Sequence, residues 1–97
     1  MEQKLVMMLQ YEVCEKFLVP YHETISHIFS SLSYYDVMEY ELFHYEGQTF
    51  VEKLVIPTES HFLSLKKLRT SKDHNIFGKL DPFIKGGVEN IQVFAIK

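Results

Sequence analysis

Glu52 stands where an apolar side chain is expected. In Thr49-Phe-Val-Glu-Lys-Leu-Val-Ile56 it shares strand parity with Phe50, Leu54 and Ile56, so its carboxylate points toward a mostly apolar face. Desolvation raises the pKa of a carboxylate, which makes Glu52 a candidate base or proton donor. The bland alternative is exposure at a sheet edge, or an ion pair with the neighbours of Lys53. Tyr11 and Tyr40 are polar-tipped residues on strand segments, and phenols there orient a ligand oxygen or simply pack. His61 and His74 both sit near helix starts. They either converge on a ligand or, for His74 with Ser71 and Asp73, cap a turn. Tyr11, Tyr40, Glu52, His61 and His74 are therefore the candidate ligand-binding residues; the catalytic residues are unassigned.

Other chemistry is less well served. There are five histidines, and His22-Glu23 followed by His27 comes near a zinc motif. The spacing is i, i+5, which turns the second imidazole about 140° round the helix from the first, so no shared metal is expected. Cys14, flanked by Glu12 and Glu15, is not read as a nucleophile. Gly-rich phosphate loops, a serine nucleophile elbow and paired-carboxylate motifs are absent from the sequence.

The elements that position these residues follow from local pattern. Phe50 to Ile56 is β-branched and apolar, and Pro57, without an N–H, stops the ladder. Thr58, Glu59 and Ser60 suit a helix start. Phe62, Leu65 and Leu68 make an apolar stripe, with Lys66, Lys67 and Arg69 in the last turn, where cations meet the negative end of the dipole. Residues 4 to 13 predict a strand that is apolar on both faces over its first half; a helix is the alternative. Residues 16 to 32 predict a helix, with Leu18, Tyr21, Ile25, Ile28, Phe29 and Leu32 on one face and Pro20 near its start. Val37 to Tyr45 alternates as a strand, Glu46-Gly47-Gln48 turns, and Thr49 to Ile56 returns antiparallel. Ser71 to Ile84 predicts a short helix, breaking at Asp81-Pro82, and Ile91 to Ile96 predicts a last strand.

The order β-α-β-β-α-β gives an α+β fold, the ferredoxin-like sandwich with two helices on one face of a four-stranded antiparallel sheet, as one domain over residues 1–97. Two helices cover only one face. Yet Leu5/Val6, Leu54/Val55 and Phe94/Ala95 are apolar at both parities, as in strands buried on both sides. Leaving the second face bare would expose more contiguous apolar surface than monomers carry, which predicts a homodimer through the open sheet face. Ten basic against thirteen acidic residues, spread without blocks, argue against a nucleic-acid footprint. The apolar run Leu5 to Leu9 after Met1-Glu-Gln-Lys4 is too short for a signal peptide core or a membrane span. A single cysteine fits a reducing compartment, so the expected location is cytoplasmic.

Phe50-Val-Glu-Lys-Leu-Val-Ile-Pro-Thr-Glu-Ser-His61, followed by Leu68-Arg-Thr-Ser-Lys-Asp-His74, resembles the strand–helix–helix stretch of the antibiotic biosynthesis monooxygenase-like domains. Leu9-Gln-Tyr-Glu-Val13 and the hairpin through Gly47 fall in matching places, so the likeness covers most of the chain. It implies membership of the dimeric α+β barrel superfamily, which includes cofactor-independent monooxygenases, haem-degrading enzymes, isomerases and domains with no assigned reaction. It places His74 where haem-degrading relatives carry their iron ligand. Those enzymes also use a Trp near the start of the second helix and an Asn on the first strand, and this chain has no Trp and no Asn within residues 5–13. No cofactor is therefore expected. Three functional readings follow: a dimeric barrel binding an apolar or aromatic small molecule between sheet and helices; a cofactor-independent monooxygenase or isomerase acting on a phenolic or quinone-like substrate; and an interaction module whose pocket is filled by its own side chains.

Overall fold

The computed structural model describes residues 4–96. The part of the targeting reading that rests on Met1 to Gln3 lies outside them. The chain forms β1 (Leu5–Glu12), α1 (Leu18–Ser31), β2 (Glu39–His44), β3 (Thr49–Ile56), α2 (Glu59–Arg69) and β4 (Gln92–Ile96). Short 3-10 turns flank α1 at Glu15–Phe17 and Leu32–Tyr35, and two more, Phe77–Phe83 and Val88–Asn90, lie between α2 and β4. The sheet is antiparallel throughout, in the order β2-β3-β1-β4, which is the ferredoxin-like arrangement.

Period-two alternation assigns the two faces. On β1, Leu5, Met7, Leu9 and Tyr11 turn under the helices, and β3 answers with Ile56, Leu54, Glu52 and Phe50 in register. Tyr21, Ile25, Ile28 and Leu32 supply the buried side of α1 and its following turn. Pro20 sits in the first turn of α1, where no partner for its missing N–H is needed. The hairpin closes at Gly47, whose positive φ of 74° no β-branched residue tolerates well. The other sheet face carries Val6, Met8, Phe43, Val51, Val55, Phe94 and Ile96 beside Lys53, Glu39 and Glu41. No helix among the described residues is long and apolar enough to cross a membrane.

Two expectations need correction. The segment after α2 is not a helix broken at Asp81-Pro82. It is a 3-10 helix from Phe77 to Phe83 that runs through Pro82, whose fixed φ suits the 3-10 range, while the Ile84 N–H to Leu80 carbonyl bond carries the chain past the missing donor. And the buried stripe of α2 is Phe62, Leu65 and Arg69, while Leu68 is only half-buried. A helix ending over a sheet turns its i+7 position inward, and here that position is an arginine.

The 3-10 segment is pressed against the chain just before it. At Gly78 a Cβ would lie 2.3 Å from the Lys72 carbonyl oxygen, a contact no side chain makes. Gly78→Ala is expected to destabilise the fold by about 1–3 kcal/mol, the range for overpacking, and urea denaturation measures it. A variant as stable as the parent would mean that this segment is held more loosely than its contacts show.

Candidate functional site

The site grows from two charges placed at apolar positions. Glu52 lies in the middle of β3 on the helix face, flanked there by Phe50 and Leu54, and is wholly buried. Opposite it, α2 begins with Thr58, whose hydroxyl accepts from the His61 N–H at 3.3 Å, and ends over the sheet at Arg69. Arg69 is also wholly buried. Its Nη1 donates to Glu52 Oε1 at 2.7 Å and its Nη2 to Oε2 at 2.6 Å, a bidentate fork. The guanidinium lies 5.4 Å from the centre of the Phe77 ring, a cation–π contact in a dry setting.

Tyrosines complete the cluster. Tyr11, diagonal to Glu52 across the β1–β3 ladder, donates its hydroxyl to Oε2 at 2.6 Å. Tyr21 of α1 lies 2.7 Å from the Tyr11 oxygen; because Tyr11 gives its proton to Glu52, Tyr21 is the donor in that pair. Tyr40 of β2 reaches toward the same carboxylate, being opposite Leu54 and so diagonal to Glu52. Its buried hydroxyl makes no well-formed hydrogen bond, the acceptor within its reach being the same Glu52 carboxylate, and Arg69 Nε is buried without a partner among the described residues.

Environment sets the protonation states. Burial, reinforced by the Glu52 charge, holds the Tyr11 and Tyr40 phenols well above the ordinary tyrosine value. Burial raises Tyr21 as well, its hydrogen bond to Tyr11 acting the other way. Burial works against the Arg69 charge, but the Glu52 carboxylate outweighs it and the guanidinium is held protonated. At neutral pH the cluster thus presents phenol and guanidinium donors around one engaged carboxylate.

Of the five residues singled out from sequence, the fold gathers Tyr11, Tyr40 and Glu52, and sends both histidines elsewhere. His61 sits on the surface of α2, its Nδ1 2.7 Å from the Thr58 hydroxyl and its Nε2 2.9 Å from Asp36, a residue held at a positive φ of 63°. His74 Nδ1 accepts from the backbone N–H groups of Ile76 and Phe77, both at 3.1 Å, so it caps the turn that opens the 3-10 segment. Its ring stacks on Phe77 at 4.8 Å and supports the cluster from behind. Glu52 finds its partner on α2, not among the neighbours of Lys53, which itself lies 3.9 Å from Glu41 on the open face. Arg69 and Tyr21 escaped the reading of the sequence. The signal for Arg69 was present: a cation at the seventh position of an apolar stripe, with one carboxylate at an apolar position of the preceding strand.

Three surface cavities lie apart from this cluster's charged pair. One of about 280 Å³ touches the cluster at Tyr11 and is otherwise lined by Gln10, Glu12, Thr49, Lys85 and Gln92; one of about 550 Å³ runs along α1 by Glu23, His27, Ser31 and Lys79; a third of about 320 Å³ lies on the open sheet face between Met8, Gln10, Tyr45, Val51 and Phe94. Among the described residues no three His, Cys, Asp or Glu side chains come together as a metal site.

No family model matches the chain, and no curated protein matches it. Solved structures do. A conserved protein from Methanosarcina mazei Go1 superposes with a TM-score of 0.72 at 11% identity, over 97% of this chain and 91% of that one. A dimeric ferredoxin-like protein of unknown function from Jannaschia sp. CCS1 gives 0.70 at 11%, over 98% and 99%. A protein from Nitrosomonas europaea, provisionally assigned as an antibiotic biosynthesis monooxygenase, gives 0.72 at 10%, over 99% and 90%. At such identities the likeness establishes a shared fold and nothing of the chemistry.

Arg69→Met, which leaves Glu52 buried without its partner, is expected to cost about 3–5 kcal/mol in chemical denaturation, and adding Glu52→Leu to restore most of it. A single variant within error of the parent would show that the pair bears no structural burden. The raised phenols fix a second expectation. Their protons are kept in the folded state and lost in the unfolded one above roughly pH 10, so stability is full below that pH and falls as pH rises past it. In an ultraviolet pH titration, three of the six tyrosines should ionise only with unfolding; six ionising in a folded chain would contradict the burial of the cluster.

Proposed function

We propose that the chain works as a homodimer, closed sheet face to sheet face into an α+β barrel, and binds an apolar or aromatic small molecule between its sheet and helices. The open sheet face carries the reading. Phe43, Phe94 and Ile96 stand exposed there, next to Tyr45 at the end of β2, with Val6, Met8 and Val55 half-buried between them. An apolar band across four strands, grooved by a 320 Å³ trough, is costly to leave in water, and a second copy by two-fold symmetry covers it with the same residues. The dimeric neighbour of the same fold supports this assembly. The small-molecule half of the reading is supported by the polar tips gathered under the helices: Tyr11, Tyr40 and Glu52, joined by Arg69. A lone cysteine, Cys14, is in keeping with a reducing, cytoplasmic setting.

The assignment of the Nitrosomonas neighbour favours a second reading, cofactor-independent monooxygenation or isomerisation of a phenolic or quinone-like substrate. Oxygen uptake across a panel of hydroxyquinones decides for or against the oxygenase form of it.

Sedimentation at micromolar concentration should give twice the 11.5 kDa chain mass. Phe94→Glu, which sets two carboxylates into the paired faces, should weaken the dimer by about tenfold or more. A chain that sediments at 11.5 kDa with no self-association would falsify the barrel.

A further inference from the structure

At the junction of β3 and α2, three side chains outside the buried cluster stand in a row. The Thr58 hydroxyl lies 2.7 Å from His61 Nδ1, and His61 Nε2 lies 2.9 Å from Asp36 Oδ2. The ring nitrogen that faces a carboxylate carries the proton, so Nδ1 is the acceptor and Thr58 gives its hydrogen to the imidazole. Capping α2 asks for less than this. It needs only the Thr58 oxygen, which takes the His61 N–H at 3.3 Å, and neither the imidazole nor a carboxylate 25 residues away in sequence. Asp36 reaches the ring from a left-handed backbone, φ 63°, a costly setting for a residue other than glycine.

We propose that Thr58, His61 and Asp36 form a nucleophile–base–acid triad that transfers a short, uncharged acyl group from an activated ester to water. This activity lies beyond the binding function above and needs no dimer, because one chain supplies all three groups. His61 Nδ1 takes the Thr58 proton as the Thr58 oxygen bonds to the ester carbonyl carbon. Asp36 holds the ring in the required tautomer and faces the imidazolium that forms. The first helical bond of α2 runs from the Phe62 N–H to the Thr58 carbonyl, so the Glu59 and Ser60 N–H groups ahead of it have no partner within the helix. They follow the nucleophile directly, at the positive end of the dipole, where an oxyanion is stabilised. The carbon–oxygen bond to the leaving alcohol then breaks, and the alcohol departs with the proton held on Nδ1. Water completes the cycle: it gives a proton to His61, bonds to the acyl carbon and releases the carboxylic acid, while Thr58 recovers its hydrogen. Access and charge choose the substrate. Thr58 and His61 are half-buried and Asp36 is exposed, so a small ester reaches the hydroxyl from solvent. The carboxylates of Asp36 and Glu59, both exposed beside it, disfavour an anionic acyl group.

The test is hydrolysis of p-nitrophenyl acetate by the full-length chain, with mass spectrometry of protein quenched during turnover. A burst of nitrophenolate should accompany the gain of one acetyl group, mapped by peptide fragmentation to Thr58. Thr58→Asn, which still caps the helix, should lose both burst and label, and Thr58→Ser, which keeps cap and hydroxyl, should retain them. His61→Gln should slow acylation about a hundredfold, the lower range for a general base, while His27→Gln at an exposed position on α1 leaves the rate unchanged. Asp36→Asn, which tolerates the same backbone, should lower kcat about tenfold or more with KM unchanged, as expected of a positioning residue. The proposal is overturned if no burst appears, if the acetyl group sits on a lysine, tyrosine or imidazole instead of Thr58, or if Thr58→Asn keeps the burst. A folded Thr58→Ser without a burst overturns it too, as do parental rates for His61→Gln or Asp36→Asn. Sedimentation reads the dimer separately, so loss of this activity leaves that measurement standing.

Discussion

Glu52 and Arg69 are two full charges with no exposure to solvent, and the fold has to be built around keeping them together. Removing each from water is expensive, and only a well-formed fork with its remaining lone pairs occupied offsets that cost. The chain supplies both conditions. The fork closes at 2.7 and 2.6 Å, Tyr11 takes a further lone pair on Oε2, and Phe77 offers its ring to the guanidinium. The consequence is directional. With Arg69 turned inward, the rotation of α2 about its axis is set: Phe62 and Leu65 follow into the core, and Lys66 and Lys67 face water. An apolar pair of similar volume would pack at less cost, but would fix that rotation less sharply.

The same pair divides the sheet into two unlike faces. Under the helices the space is occupied by large side chains, with Tyr21, Phe50, Phe77 and Arg69 among those fully buried. On the other side the strands present Phe43, Phe94 and Ile96 to solvent. The interior is otherwise apolar, with Glu52 and Arg69 the buried charged residues among those described, while large apolar side chains stand in solvent on the open face. That exposed patch departs from ordinary burial. A second copy laid on it would cover it, which leaves the buried ion pair as the feature that packing alone does not account for.

How much of this the sequence disclosed depends on the range of the signal. Strand parity is local, so the placement of Glu52 with Phe50 and Leu54, the hairpin at Gly47 and the start of α2 at Thr58 were all legible. The element order was legible for the same reason, and with it the sheet. Pairing across space was not. Arg69 reads locally as a cation completing the last helical turn, and only the crossing of α2 over β3 makes it the partner of Glu52. Tyr21 reads as one apolar position in a helical stripe; its hydroxyl acquires meaning only when β1 brings Tyr11 within 2.7 Å. The histidines resolve to the local alternative. His61 and His74 sit near helix starts as expected, but each imidazole is engaged close to home, by Thr58 and Asp36 or by the turn at Ile76 and Phe77.

The chemistry available inside follows from which groups can give a proton and which can take one. Tyr11, Tyr21 and Tyr40 are held protonated far past neutrality, and Arg69 is a permanent cation. The acceptor they share, Glu52, already receives three hydrogen bonds, from two guanidinium nitrogens and one phenol. A substrate arriving there meets donors and finds no free base. Deprotonation of a phenol, the opening step of cofactor-free oxygenation, would have to break the Glu52 fork or use a base outside the cluster. The interior is therefore matched to keeping Arg69 and Glu52 together, and not to taking a proton from a substrate.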